Sequence, residues 1–121
     1  MKLKIETKRI YDKKERKDGY RVLAMRLWPR GIKMTEIDLW LKELGPTRPL
    51  LTAYKHGKMR WPTFEKGYNA ELADEPKLKA ISTLAQSIQG TKITLLCACK
   101  DLKKCHTKLL KDYLTKWTGQ L

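Results

Sequence analysis

The sequence predicts an α/β fold: a small three-layer domain in which a short, mainly parallel sheet is flanked by helices. Apolar runs typical of strands occur near the start of the chain, around residues 20–28 and around residues 91–99. Stretches with apolar residues at helical spacing separate the last two runs and follow the third. Strands that alternate with helices favour parallel pairing. At 121 residues, the chain is expected to form one domain over residues 1–121.

The N-terminal part is predicted to hold two strands. Residues 2–10 alternate between apolar and charged side chains, as in a half-exposed strand. A charged loop over residues 12–19 follows. Residues 20–28 carry apolar groups on both faces, which is typical of a central strand, and Pro29 and Gly31 end it.

Helices are predicted in most of the remaining chain. The first begins at Thr35 with Asp38 in a near capping box, carries Trp40 on its apolar stripe, and stops at Gly45 and Pro46. The others are a short helix near Leu50–Tyr54, one over about Thr63–Leu72, one from Asp74 to Gly90 with Leu78 on its apolar face, and one over Cys105–Thr118 with Trp117 inward. A buried strand over residues 91–99 precedes the last helix. Ligands of such sheets bind beyond the carboxyl ends of the strands, which here are residues 28–30 and 99–106.

The net charge of +14 comes from 27 basic and 13 acidic side chains. Residues 1–33 alone carry 12 basic and four acidic groups, so the basic ends favour a polyanion or a phosphate-bearing ligand. A lysine-rich, solvated surface is the alternative explanation, because no nucleic-acid motif accompanies the charge. No apolar run reaches the roughly 18 residues of a membrane span, and the first residues lack the apolar core of a signal peptide. We therefore expect a cytoplasmic location without membrane contact, where the three cysteines are reduced, catalytic or metal-binding.

The loop from Leu96 to His106 carries the strongest chemical signal, because it holds all three cysteines and one of the two histidines. Cys105 stands at a predicted helix start beside basic residues, and the helix dipole and these cations favour the thiolate. The leading prediction is therefore catalysis by Cys105 as nucleophile and His106 as acid or base. The alternative is a cysteine packed as a small apolar residue.

Cys97 and Cys99 are two residues apart on a strand and so share a face. Cys97 is the deeper of the two and is predicted to pack in the core. Cys99 is close enough to the loop to form a reversible disulfide with Cys105, provided that their Cα atoms come within about 7 Å. Zinc bound by Cys99, Cys105 and His106 is a less favoured alternative, because the spacing fits no standard zinc motif.

Arginines near the end of the second strand suggest the other wall of a pocket. Arg26 and Arg30 are candidates for binding phosphate or carboxylate, and Trp28 offers a flat surface for a ring. The alternative is that Trp28 builds a core corner while Arg30 pairs with an acid. His56 in the uncertain middle of the chain is a further candidate ligand contact.

Several strings of the sequence resemble one family. Arg9-Ile10-Tyr11-Asp12, Asp18-Gly19-Tyr20-Arg21-Val22-Leu23, Arg26-Leu27-Trp28-Pro29-Arg30-Gly31, Asp38 to Leu44, Tyr68 to Leu72 and Thr94 to Leu96 are similar to the signature of the YeaO-like bacterial proteins. The resemblance runs in register from about Arg9 to Leu114. That family is a domain of unknown function, so the resemblance implies an α/β fold rather than an activity.

The chain departs from the YeaO-like pattern at two places. Met25 stands where these proteins usually carry an aspartate, so any acid–base role of that aspartate is absent here or has moved. The loop instead resembles the wider family's other branch, which has Cys-x-Glu, a short loop and Cys-His-Arg; Cys99 replaces the glutamate and Thr107 the arginine. Three functions follow as hypotheses: a small enzyme with a Cys/His/Arg pocket for a phosphate-bearing or nucleotide-like ligand, a basic nucleic-acid-binding module, or a metal- or redox-responsive protein.

Overall fold

Four parallel strands form one sheet in the computed structural model, which describes residues 3–88 and 90–119 and, for 117–119, the backbone only. The strands are β1 (Lys4–Arg9), β2 (Tyr20–Leu23), β3 (Leu39–Trp40) and β4 (Lys92–Cys97), and their order in the sheet is β1-β4-β2-β3. The register pairs Ile5 and Tyr20 with Ile93 on either side of β4. The last strand in the sequence is therefore a central strand of the sheet, and the expected α/β class with a parallel sheet is confirmed.

The described residues form four α-helices: α1 (Arg48–Lys55), α2 (Trp61–Leu72), α3 (Glu75–Ser87) and α4 (His106–Gly119). The helix α4 packs against β1 and β4, and α1 packs against α2. Proline occupies the first turn of α1, α2 and α3, where its missing N–H removes no helical hydrogen bond. The helices α2, α3 and α4 share one core with the strands, made of side chains such as Phe64, Leu72, Ile81, Leu95 and Leu110. Three of the predicted helices, α2, α3 and α4, thus occur close to their predicted positions, and α1 extends the short predicted helix.

The opposite face of the sheet is covered by loops and 3-10 turns. Ile10, Leu23 and Leu96 form a second, smaller cluster there, against which Trp28 and Ile37 pack. Among the described residues, this cluster contains no buried side chain from an α-helix. The third layer is therefore irregular, which leaves the ends of the strands accessible beside it.

The predicted helix over residues 35–44 is wrong. Two 3-10 turns, Met34–Glu36 and Lys42–Leu44, flank the short strand β3 instead. Asp38, the expected capping residue, accepts a hydrogen bond from the backbone N–H of Arg21 at 2.8 Å, and its own N–H donates to the Arg21 carbonyl at 2.9 Å. Pairing with the open edge of β2 satisfies these backbone groups better than an isolated ten-residue helix, which is marginal in water.

Two side chains assigned to apolar stripes lie elsewhere. Trp40 is 40% exposed, because its position on β3 turns it to the outside, and Leu78 is 43% exposed. On the same helix Lys77 is buried instead of Leu78. Trp117, the other tryptophan predicted to be core, lies outside the described side chains.

Candidate functional site

The carboxyl ends of β2 and β4 lie side by side because the two strands are parallel neighbours. The backbone N–H of Ala24 still bonds to the Leu96 carbonyl at 3.0 Å, after which the chain leaves the sheet. The segment after β4 carries Cys97 and Cys99, and a 3-10 turn over Leu102–Lys104 returns the chain to the start of α4. The segments that follow β2 and β4 therefore meet at one edge of the sheet. The sequence predicted that the second strand would reach Trp28, but β2 ends at Leu23, so residues 25–27 rather than the predicted turn at 28–30 stand at this edge.

Three sulfur atoms meet at this edge. Cys99 and Cys105 form a disulfide with their Cα atoms 6.1 Å apart, which meets the distance condition stated for one of the alternatives that the sequence left open for this pair. The free thiol of Cys97 lies 3.0 Å from the Cys105 sulfur, and the hydroxyl of Thr107 donates to the Cys105 sulfur at 3.3 Å. Burial raises the pKa of the Cys97 thiol. Cys97, assigned to packing from the sequence, is thus a full member of a sulfur cluster, which comprises Cys97, Cys99 and Cys105.

His106 holds the start of α4 against the end of β2. Its ring is buried, and Nε2 contacts the carbonyl oxygen of Ala24. Because a carbonyl only accepts, Nε2 carries the proton and Nδ1 is left as an acceptor, 3.8 Å from the Cys105 sulfur. Burial, assisted by the charge of Lys77 and opposed by the bond to Ala24, lowers the pKa of His106 to about 4. The imidazole is therefore neutral near pH 7, and its unprotonated Nδ1 faces the Cys105 sulfur.

A cavity of about 150 Å³ opens beside the sulfur cluster. Arg26 lies on its wall, where the guanidinium donates to the carbonyls of Gly45 at 3.0 Å and Pro46 at 3.3 Å. The backbones of Gly45 and Arg26 also approach each other closely, because a Cβ atom on Gly45 would lie only 2.7 Å from the backbone nitrogen of Arg26. The cavity is lined by Met25, Arg26, Leu27, Pro46, Leu51, Lys55, Cys97, Ala98, Cys99 and His106. It therefore combines two cationic side chains with two cysteines and the neutral imidazole, and Met25 stands on its wall where the resemblance implies an aspartate.

The structure brings only some of the predicted site residues to this cavity. Arg26, Cys99 and His106 line it, and Cys105 is bonded to Cys99 just behind the wall. Trp28, Arg30 and His56 are not among its lining residues. The indole of Trp28 donates to the Ile32 carbonyl at 2.8 Å and packs in the second cluster, so it builds a corner of the fold as the alternative interpretation expected. Arg30 and His56 have exposed side chains.

Sequence reasoning missed a buried ion pair behind this site. Lys77 Nζ lies 3.1 Å from a carboxylate oxygen of Glu71, which also accepts from the Thr47 N–H at 3.0 Å. The pKa of Glu71 lies below its usual range. Burial alone would raise this pKa, but the hydrogen bonds from Thr47 and Lys77 stabilise the carboxylate more strongly than burial destabilises it. Burial also lowers the pKa of Lys77, against the attraction of Glu71. Hydropathy could not reveal the pair, because a lysine on a helix is normally exposed.

The fold and the site define a class: small parallel α/β proteins with cysteines, histidine and arginine at the carboxyl edge of the sheet. The chain belongs to the DUF488 family, because the family model DUF488-N3a, described as "Active DUF488-N3 subclade", matches residues 5–118. The expected resemblance to YeaO-like proteins is thereby confirmed.

Two relatives extend this result. The chain is 39% identical over 115 residues to "Uncharacterized protein YeaO" of Escherichia coli (strain K12), covering 93% of this chain and 97% of that protein. It is 28% identical over 113 residues to "Uncharacterized protein Rv3073c" of Mycobacterium tuberculosis (strain H37Rv), covering 92% and 93% of the two chains. No solved structure matches the chain significantly. Within the part of the chain that the structure describes, no helix combines the length and apolar character that crossing a membrane requires.

Proposed function

We propose that this protein is a small thiol-dependent enzyme, in which Cys99 and Cys105 cycle between dithiol and disulfide beside a pocket for an anionic ligand. The observation that carries the proposal is the pairing of these two cysteines at the strand ends, with Cys99 on the wall of a cavity that also holds Arg26. The two cysteines differ in access. Cys99 is half-buried and lines the cavity, whereas Cys105 is 1% exposed.

This difference in access supports different roles for the two sulfurs, and we propose the following sequence of steps. The Cys99 thiolate attacks a disulfide of the reactant, which releases one half of the reactant as a thiolate and leaves the other half bonded to Cys99. The Cys105 thiolate then attacks the Cys99 sulfur, releases the second half, and closes the intramolecular disulfide. The reactant gains two electrons and the protein loses two, and an external dithiol in a reducing compartment, which we propose is the cytoplasm, restores the protein. His106 lies beside this step, with its Nδ1 3.8 Å from the Cys105 sulfur, and we propose that it accepts a hydrogen bond from the Cys105 thiol of the reduced protein.

Positive charge at the cavity supports an anionic ligand. Arg26 uses Nε and one N–H of Nη2 on backbone carbonyls among the described residues, which leaves further guanidinium N–H groups for a phosphate or carboxylate. Lys55 adds a second positive charge on the same wall. We therefore propose a phosphate-bearing or otherwise anionic reactant.

The thiol mechanism is tested by mapping adducts of the reduced protein with a small disulfide such as oxidised glutathione. The wild type should end with a Cys99–Cys105 disulfide, whereas Cys105→Ser should retain a mixed disulfide at Cys99. Alkylation of the reduced protein supplies the second readout. If Cys99 reacts at neutral pH no faster than a free thiol, or if Cys105→Ser retains no adduct at Cys99, the mechanism is wrong.

The anion pocket is tested separately by titrating pyrophosphate into the protein. Arg26→Gln should weaken binding on the order of 10-fold or more, since hydrogen bonds to charged groups contribute about 1.5–3 kcal/mol. Arg30→Gln is the matched control, because it removes the same charge from an exposed side chain away from the cavity. Equal affinities of the two variants would contradict the pocket.

Nucleic acid is a second candidate partner, favoured by the exposed Lys100, Lys103 and Lys104 in the loop that joins Cys99 to Cys105. Phosphate contacts release counterions, so the affinity for single-stranded DNA or RNA should fall steeply with added salt. Lys103→Gln combined with Lys104→Gln should reduce that salt dependence. Absence of binding to both nucleic acids at low salt would eliminate this candidate.

A further inference from the structure

We propose that Cys97, Cys99 and Cys105 form a three-thiolate site for a thiophilic metal ion of the zinc class when the disulfide is reduced. The proposal goes beyond the thiol chemistry above and does not depend on it, because metal binding requires no reactant. It also differs from the set that the sequence suggested, since Cys97 enters the site as a ligand.

The spacing of the sulfurs fits such an ion. The three sulfur atoms all lie within 4.8 Å of one another, and those of Cys97 and Cys105 are 3.0 Å apart. Thiolates bound to tetrahedral zinc at about 2.3 Å lie about 3.8 Å from one another. Reduction frees the Cys99 and Cys105 sulfurs to separate to that distance by side-chain rotation. Little backbone movement is then needed, because their Cα atoms are already 6.1 Å apart.

The backbone around the cluster holds the three residues in place. Cys97 is the last residue of β4, and Cys105 directly precedes α4, so both are anchored by regular structure. The 3-10 turn between Cys99 and Cys105 is closed by Asp101, whose side chain accepts from the Lys103 N–H at 2.9 Å. Two of the three ligands thus stand on rigid elements, and the third stands in a short loop tied back by a side-chain cap.

His106 provides the second, independent observation. Histidines that ligate or border metals donate their other ring N–H to a carboxylate, a backbone carbonyl or water, and here Nε2 contacts the Ala24 carbonyl. That arrangement turns an unprotonated Nδ1 towards the sulfur cluster, 3.8 Å from the Cys105 sulfur. A ring nitrogen therefore lies beside one of the three sulfurs, and the cavity opens beside Cys97 and Cys99.

Metal and disulfide exclude each other at this site. A reductant must first supply two electrons and two protons to Cys99 and Cys105, and the ion then displaces the thiol protons as the sulfurs bind as thiolates. A small disulfide that oxidises the pair takes up two electrons and releases the ion, because only Cys97 is left as a thiol. The site is therefore loaded in the reduced protein and emptied by oxidation.

The experiment is a competition between the protein and a chromogenic zinc chelator, performed on phosphine-reduced and on oxidised protein. We expect one zinc per reduced chain and none per oxidised chain. Cys97→Ser should weaken binding more than about 100-fold, since even changes in the groups that support a ligand cost 10–100-fold in affinity. Cys97 is outside the disulfide, so this variant should still close the Cys99–Cys105 bond, which separates failure of the metal site from failure of the proposed enzyme.

Ala98→Ser is the matched control, because it alters the same segment and keeps all three sulfurs. It should bind zinc as the wild type does. Cys99→Ala provides a second loss-of-ligand variant in a half-buried loop position, should Cys97→Ser fail to fold. Reduced wild-type protein that binds no stoichiometric zinc, a folded loss-of-ligand variant that binds as tightly as the wild type, or equal binding by the oxidised chain would each overturn the proposal.

Discussion

The burial of His106 predicts a specific loss of stability in acid. The pKa of its imidazole is lowered to about 4 in the folded protein, mainly by burial, whereas an unperturbed histidine has a pKa of about 6.5. Between those pH values the unfolded chain binds a proton that the folded chain does not, so protons favour unfolding. The contribution of neutral His106 to the free energy of unfolding is complete above about pH 6.5 and is lost as the pH falls towards 4. The difference of about 2.5 pKa units corresponds to about 3 kcal/mol, of which about 2.5 kcal/mol is lost by pH 4.5.

The assay is urea denaturation at pH 7 and pH 4.5 of the wild type and His106→Gln, with the disulfide intact in both. Glutamine places an N–H group near the position of Nε2, so it can still donate to the Ala24 carbonyl, but it does not titrate. The wild type should lose about 2.5 kcal/mol more than the variant between the two pH values, because other groups cancel in the comparison. His56→Gln, which removes an exposed imidazole, should behave like the wild type. Equal losses in the wild type and His106→Gln would refute the reasoning.

Three further predictions test the surroundings of the site. Glu71→Gln leaves the buried Lys77 without its ionic partner, so unfolding experiments should show a loss of roughly 3–5 kcal/mol, and replacing both residues by apolar ones should restore much of it. Gly45→Ala forces a Cβ atom against the Arg26 backbone and should lower stability by roughly 2 kcal/mol and weaken pyrophosphate binding, in calorimetry of both processes. Asp101→Ala removes a cap worth about 1 kcal/mol, so the dithiol–disulfide equilibrium should shift about 5-fold towards the dithiol in a redox titration; an unchanged equilibrium would show that the turn does not hold Cys105 in place.

The periodicity of apolar residues was sufficient to predict a helix or strand wherever the tertiary contacts of that segment favoured the same structure. The apolar stripe of α2 and the buried run of β4 were visible in the sequence, because burial on one or both faces leaves a periodic signature. Residues 35–44 carried the same helical signature but form β3 and two turns. There the decisive contacts, between Asp38 and the backbone of Arg21, join segments 17 residues apart, and spacing within the segment carries no information about them.

The site was predictable to a similar degree. The Cys99–Cys105 pairing was one of the alternatives that a strand, a short loop and a helix start allowed, and Arg26 was singled out because it lies near the end of the second strand, although β2 ends at Leu23. Cys97 was assigned to packing because a cysteine inside a strand is usually apolar filling, and its distance from Cys105 depends on how the loop folds back. The exposure of Arg30 was equally hidden, since it depends on the path of the chain after β2 ends at Leu23.

The place of β4 between β1 and β2 has a consequence for biosynthesis. Ile5 is in register with Ile93, so the first strand made by the ribosome has no neighbour until the last strand has been made. Pairings between such distant segments slow folding, because a long loop must close before any contact compensates for its entropy. The nascent chain therefore carries β1 unpaired until β4 has left the ribosome, and the complete sheet, together with the sulfur cluster at its edge, can assemble only after that point.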